Sequence, residues 1–276
     1  MATDLTGKVI VITGGSSGIG AAAARKFREL GSTVAITGRS PETARLAGEI
    51  GADYFLTDFA KLADVRALAE QLLAKYPRID VLANNVGGIM GARKLTADGH
   101  EATFQINHLA GFLLTSLLQD RLNESGAIVV NTSSMANMFG KVDLSDLENE
   151  RGYSAMKAYG TAKLMNILHA KELQRRYGDR LHAASFHPGP VATGFAREGN
   201  GLWRLIYETP LKNLFLITPE KGADTLVWLV TTEPGKDWQP GGFYEKRKPS
   251  RQHAQASDPA LARGLWEASE RLVGLS

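Results

Sequence analysis

Short apolar runs alternate with longer amphipathic stretches along most of the chain. Runs rich in β-branched residues recur at KVIVIT, STVAIT, DYFL, IDVLANN, GAIVVNT and LHAASFHP. Most of the segments between them carry apolar residues at three- and four-residue offsets, so the pattern predicts strand, helix, strand in repetition. Val9 to Ile12 and Ile128 to Val130 are apolar at every position, as in a parallel sheet covered by helices on both faces. The expected fold class is α/β: a single Rossmann-type, doubly wound parallel sheet flanked by helices. The rhythm runs to about residue 187 without repeat, low-complexity tract or linker, so residues 1–276 read as one domain. It changes over 191–217, where Trp203, Ile206, Tyr207, Leu211 and Phe215 surround Pro210. That stretch is expected to be a small helical flap on the substrate side, and its composition suggests a hydrophobic substrate.

Composition narrows the picture. Hydrophobic residues make up 43% and charged residues 22% of the 276, which excludes a disordered chain and permits a sizeable core. A net charge of +3 implies no strong field for nucleic acid. The local run EKRKPSR, with Lys246, Arg247, Lys248 and Arg251, reads as a solvated loop, and a nucleic-acid or membrane-surface binder built on it is the weaker reading. The absence of cysteine rules out a disulfide framework, a thiolate nucleophile and a Cys-containing zinc site; it fits a reducing compartment, and a cytoplasmic location is expected. MATDLTGKVIVIT enters a strand without a signal-peptide pattern. No apolar run approaches the roughly 18 to 20 residues that cross a bilayer, so no membrane insertion is expected. Neither an HExxH pattern nor a comparable histidine cluster occurs among the six histidines, so no metal is expected, and the missing GxSxG elbow argues against a hydrolase.

The first chemistry lies in VIVITGGSSGIGAAAARKF, an apolar strand, a glycine-rich turn and a helix opening at about Gly18, the context a dinucleotide fingerprint requires. Gly14 allows the tight turn, Gly18 lets the backbone approach phosphate, and Gly20 lets the helix press on the strand. Backbone N–H groups over Ser16, Ser17, Gly18, Ile19 and Gly20 would carry a pyrophosphate at the helix N-terminus. About 20 residues further on, where a carboxylate would hold the ribose 2′-hydroxyl of NAD, the chain reads ITGRS. Arg39 can pair with a 2′-phosphate, so NADP(H) is the preferred cofactor and NAD(H) the lesser possibility. Asp58, after the third strand, is placed to meet the adenine amino group.

Two tyrosine and lysine pairs share the spacing YxxxK: Tyr153 with Lys157, and Tyr159 with Lys163. On one helix, six residues correspond to about 240°, so the two pairs cannot face one site, and geometry alone does not choose. Asn107 sits in FQINHLAGF, where Phe104, Gly111 and Leu114 mark a buried helical face. A buried amide demands partners, whether structural or functional.

Together these residues resemble the short-chain dehydrogenase/reductase superfamily. TGGSSGIG is similar to its TGxxxGxG turn, NNVG at 84–87 to its NNAG, and NTSS precedes a YxxxK. FQINHLAGFLLTSLL, AYGTAKLMNILHAKELQRR and FHPGPVATGF resemble the retinol-dehydrogenase-like branch in particular. Val86 in place of alanine and Ala162 in place of a frequent serine are departures that remove no reacting group. The resemblance implies an oxidoreductase that interconverts an alcohol and a carbonyl by hydride transfer. It selects Tyr159 as acid/base because an apolar run like LMNIL follows its lysine. Lys163 would acidify the phenol and hold the nicotinamide ribose, and Ser134, with Ser133 as fallback, would donate to the substrate oxygen. Asn107 would hold a water linking Lys163 to solvent. Asn84 and Gly87 would shape the turn beside the cofactor, and Pro188, Gly189 and Thr193 would meet the carboxamide. The partner would be a small-molecule carbonyl or alcohol. The resemblance also implies a possible homodimer or homotetramer through the helices holding Asn107 and Tyr159, with a monomer as the other outcome in this branch. The alternatives are a catalytically silent dinucleotide-sensing regulator on the same fold, which would be free to lose Tyr159, Lys163 or Ser134, and an epimerase-like enzyme, which would need a longer C-terminal substrate domain.

Overall fold

The six apolar runs form six consecutive parallel strands. The computed structural model describes residues 3–189 and 217–276; the expected flap up to residue 216, with Thr193, lies outside the described residues. The strands are β1 (Val9–Ile12), β2 (Thr33–Gly38), β3 (Asp53–Leu56), β4 (Val81–Asn84), β5 (Ile128–Thr132) and β6 (His182–Phe186). Two short strands that the apolar pattern did not announce complete the sheet: β7 (Phe243–Glu245), parallel to β6, and β8 (Lys248–Pro249), antiparallel to β7. The run EKRKPSR is therefore the hairpin at the sheet's edge, with Lys246 and Arg247 both in the left-handed region at its turn. A strand of two or three residues carries too few side chains to show a period, and an edge position leaves its charges in water.

The sheet order is β3-β2-β1-β4-β5-β6-β7-β8. Helices α1 (Gly18–Glu29), α2 (Pro41–Ile50) and α8 (Pro219–Thr231) cover one face, packing on Ile10, Ile12, Val34, Ile36, Val130 and Phe186. The other face carries α3 (Leu62–Lys75), α5 (Ala110–Leu117), α7 (Ala155–Tyr177) and α9 (Pro259–Leu272), over Val9, Val11, Leu82 and Val129. Neighbouring residues of β1 thus enter opposite cores, which is why the strand is apolar throughout. Two shorter helices complete this layer, α4 (Ala102–Phe104), joined to α5 by a π-helical segment over Gln105–Leu109, and α6 (Gln119–Ser125).

The C-terminal helix α9 lies on the faces of α5 and α7. Trp266 packs edge-on to Phe112 and against His169 and Tyr177, while the Arg176 guanidinium stacks over its ring. Helix α9 thus covers part of α5 and α7. Among the described residues no helix is long and apolar enough to cross a membrane.

Candidate functional site

Strand order reverses between β1 and β4, and the crevice outside their carboxyl ends is where an open α/β sheet binds its ligand. The glycine turn after β1 and the segment 85–88 after β4 both lie there. Gly14 has φ +65° and Gly18 φ +53°, conformations that a side chain would strain. A Cβ on Gly20 would run into the Gly14 carbonyl and come within 2.9 Å of Asn85 Nδ2, so α1 can start this close to the strand only without one. Ser17 caps α1 in extended conformation with no side-chain hydrogen bond, and its first turn has no acidic residue. The N-termini of α4, α7, α8 and α9, by contrast, are each closed by a side chain. The first N–H groups of α1 are thus left for an anion.

The turn is tied to β4 by residues the sequence pattern did not single out. Thr13 Oγ1 accepts from Asn85 N (2.9 Å) and Val86 N (3.1 Å), and Asn85 Nδ2 donates to the carbonyls of Thr13 and Gly14. Val86 packs its Cγ2 against Gly14. Asn84 instead turns inward: its Nδ2 donates to Thr115 Oγ1 and Asn131 Oδ1. Two adjacent asparagines on a strand point to opposite sides, and it is Asn85 that meets the glycine turn.

At the end of β2, Arg39 is exposed and makes no ion pair among the described residues. Glu42, the nearest acid along the chain, is occupied by Arg45, whose Nε lies 3.0 Å from both of its oxygens. Asp58 Oδ1 accepts from Ala60 N at 3.0 Å, which fixes the carboxylate at the end of β3. At the other side of the crevice Gly189 has φ +87°, and a Cβ there would lie 2.9 Å from Ile217 Cδ1. Its N–H donates to His187 Nδ1 at 3.1 Å across Pro188, and burial keeps that imidazole below its ordinary pKa.

Helix α7 brings Tyr159 and Lys163 together one turn apart. Lys163 Nζ lies 5.4 Å from the centroid of the Tyr159 ring. It donates to the Thr132 carbonyl at 3.2 Å. Tyr159 is 4% exposed and Lys163 1%. Burial pulls the lysine down to about 7, so near neutral pH amine and ammonium are both populated. Burial of the four-carbon stem among α7, β5 and the π-helical segment makes the charge by which Lys163 would acidify the phenol conditional on pH.

Gly87 joins this pair to Asn107. A Cβ on Gly87 would stand 2.7 Å from Lys163 Nζ and closer still to Asn107 Oδ1. Asn107 sits on the π-helical segment, accepts from Gly88 N (2.9 Å) and donates to the carbonyls of Gly88 and Thr103. The apolar offsets of FQINHLAGF announced a helix but not this widened turn, a feature that often marks functional positions.

Ser134 caps the 3-10 helix Met135–Phe139, accepting from Ala136 N at 3.1 Å. It is half-buried, whereas Ser133 is buried with its hydroxyl on the Lys163 carbonyl at 2.7 Å. Ser133 thus serves packing and leaves Ser134 as the reachable hydroxyl. The 3-10 helix presses on α7 through a glycine pair: a Cβ on Gly160 would come within 2.5 Å of the Ala136 carbonyl.

Tyr153 is not on α7, contrary to the reading that put both YxxxK pairs on one helix. Gly152 takes φ +63° and Ser154 is the extended N-cap, so the helix begins at Ala155. The Tyr153 hydroxyl donates to the Gly91 carbonyl at 3.0 Å and lies 3.4 Å from Glu101 Oε1. Burial pushes its pKa up, opposite to what an acid/base near neutral pH needs. Lys157 Nζ reaches back to the Arg151 carbonyl at 3.3 Å.

Comparison with known proteins sets this arrangement in context. The model of the short chain dehydrogenase family matches residues 8–201. The chain is 46% identical over 279 residues to a Streptomyces sp. (strain C5) protein provisionally named daunorubicin C-13 ketoreductase DnrU, covering 98% of this chain and 94% of that one. It is 36% identical over 284 residues to human retinol dehydrogenase 11, covering 98% and 87%. A crystal structure of an uncharacterized protein from Mycobacterium paratuberculosis superposes with a TM-score of 0.80 at 30% identity, covering 99% and 96%. A short chain dehydrogenase of Escherichia coli CFT073 complexed with NADPH superposes with a TM-score of 0.64 at 25% identity, covering 83% and 92%.

Proposed function

Since the chain belongs to the short-chain dehydrogenase family, is retinol-dehydrogenase-like and is an oxidoreductase acting on CH–OH and C=O groups, we propose that it is NADP(H)-dependent and acts on a hydrophobic carbonyl or alcohol, with Tyr159 as acid/base. The observation that carries this reading is the convergence of Tyr159, Lys163, Asn107 and Gly87 beside the glycine turn at the strand-order reversal.

The crevice fits a dinucleotide phosphate: uncapped N–H groups over Ser16 to Gly20 suit a diphosphate, and the glycines leave the room that side chains would fill. Arg39 would hold the 2′-phosphate, with Glu42 already neutralised by Arg45. Asp58 would meet the adenine amino group, Pro188, Gly189 and Thr193 the carboxamide, and Lys163 the nicotinamide ribose. The bound cofactor supplies or takes the hydride at the substrate carbon. Tyr159 gives its hydroxyl proton to the carbonyl oxygen in reduction and recovers it from the alcohol in oxidation. The Lys163 ammonium stabilises the phenolate left behind. Ser134 donates to the same substrate oxygen as charge develops on it. Asn107 anchors the segment that borders Lys163 and supports its link to solvent.

A hydrophobic substrate is favoured by the apolar side chains exposed around these groups. Phe139 is 73% exposed at the end of the helix that Ser134 opens, and Met156 is 38% exposed one turn before Tyr159. The relatives' names, a retinol dehydrogenase and a daunorubicin ketoreductase, point the same way.

The test is NADPH consumption over a panel of hydrophobic ketones and aldehydes, followed by two substitutions. Tyr159→Phe should lower kcat by at least about 1000-fold with NADPH affinity within about threefold, since it removes the proton-transferring hydroxyl and keeps the ring. Tyr153→Phe should retain most turnover. Equal loss from both changes would refute Tyr159 as the acid/base.

A further inference from the structure

Behind Lys163 lies a chain of buried polar groups that none of the roles above uses. Asn166, one turn beyond Lys163 on α7, is buried and has its two amide hydrogens on two backbone carbonyls, Asn107 O at 3.0 Å and Thr132 O at 3.1 Å. The second of these is the carbonyl that also accepts from Lys163 Nζ. Asn166 therefore bolts the π-helical segment carrying Asn107 to the end of β5 and shares the acceptor that fixes the lysine.

Proton bookkeeping fixes the rest. With both N–H groups committed to carbonyls, Asn166 Oδ1 is left facing His108 Nδ1 at 3.3 Å. Two acceptors cannot face each other without cost, so Nδ1 must carry the ring proton. His108 Nε2 is then the ring acceptor, with Ser269 Oγ of α9 3.2 Å away. The Ser269 hydroxyl donates its one proton to the Leu265 carbonyl at 2.8 Å, so the tautomer follows from Asn166 and not from Ser269. His108 and Ser269 are both buried, and Phe104 stacks on the imidazole at 5.8 Å. The other titratable group facing His108 is His169, edge-on at 6.0 Å. Burial lowers His108 to about 4 and His169 to about 3, so both rings are neutral wherever Lys163 titrates.

We propose that Asn166 is a positioning residue for Lys163, and that its carbonyl-bound amide in turn holds His108 in the Nδ1–H tautomer. This rests on the role given to Lys163 under Proposed function. Asn166 thereby ties three elements at the reaction centre: it divides the Thr132 carbonyl with the lysine, holds the Asn107 carbonyl of the π-helical segment, and presents its oxygen to His108.

Two measurements on the full chain test this. In the first, ¹⁵N spectra of histidine-labelled protein, with His108→Gln used for assignment, should show His108 as Nδ1–H and untitrated from about pH 5 to 9. An Nε2–H ring in the unmodified protein would overturn the proposal. In the second, NADPH affinity is followed against pH. It should weaken as Lys163 loses its proton, and Lys163→Met should erase that limb. Asn166→Ala returns the whole Thr132 carbonyl to the ammonium and should move the limb up by about one pH unit. A limb that stays in place, with Lys163→Met erasing it in the control, would overturn the proposal. If Asn166→Ala does not fold, Asn166→Ser replaces it, with the same upward move of the limb expected; an unmoved limb overturns the proposal. If Lys163→Met leaves the limb intact, the role given to Lys163 fails instead, and the tautomer still reports the orientation of Asn166.

Discussion

The two halves of the site are built from different materials. Around the glycine turn the functional groups are backbone N–H groups left open by missing side chains: Gly14, Gly18 and Gly20 set the path, Ser17 caps nothing, and Arg39 stands exposed. Around α7 the groups are side chains sealed in the interior, where Tyr159, Lys163, Asn107, Asn166 and His108 are all at most 5% exposed. The first half binds by leaving hydrogen-bond capacity unspent. The second works by spending nearly all of it, so that a lysine and a tyrosine are held in one geometry at the cost of the lysine's charge. Substitutions in the first half should therefore fall on cofactor affinity, and those in the second on kcat and pH dependence.

After Tyr159→Phe, Gly87→Ala should cut deepest, because the added Cβ would press on Lys163 Nζ and Asn107 Oδ1. A displacement of this size in a reacting constellation predicts about a 100-fold fall in kcat, readable in steady-state kinetics with NADPH. If KM for NADPH rose while kcat held, the division between the halves would be wrong. Gly20→Ala should weaken NADPH roughly 50-fold through its collision with the Gly14 carbonyl, measured by fluorescence titration.

Arg39→Asp should weaken NADPH roughly 20-fold, the worth of a charge-assisted hydrogen bond, and leave NADH within about threefold. Equal loss for both nucleotides would remove Arg39 from the 2′-phosphate. The mildest expected effect is on stability alone. His108 and His169 are held to about 4 and about 3 by burial. The unfolded chain binds these protons below the ordinary histidine pKa while the native protein does not, so stability falls as pH drops from about 6.5 towards 4. His108→Gln should flatten that fall by on the order of 2 kcal/mol at pH 4.5, seen as a smaller acid shift in the urea midpoint.

Much of the architecture was legible without coordinates, and the misses share a cause. β1 to β6 announced themselves through apolar runs that cover strands of four to six residues, whereas β7 and β8 are too short to show a period. The glycine spacing gave the turn, yet Asn85 and Thr13, which hold it to β4, are ordinary residues whose value comes from lying 72 positions apart in sequence and 2.9 Å apart in space. Tyr153 and Tyr159 looked alike because YxxxK describes a helix, and only Gly152 in the left-handed region with Ser154 as cap puts Tyr153 outside it. The partners of Asn107 likewise follow from a π-helical turn that apolar spacing does not encode.

By itself, then, the sequence determined what is local: the alternation that makes a parallel sheet, the glycines that allow a turn no side chain would tolerate, and the residue types able to move a proton. Only the tertiary structure decided which serine hydroxyl is reachable, that Lys163 is pulled to about 7, and that Asn166 shares the Thr132 carbonyl with Lys163. Backbone torsions answer to neighbours in the chain. Hydrogen-bond partners and desolvation answer to whatever the fold brings alongside, and here that means groups on β5, the π-helical segment and α9.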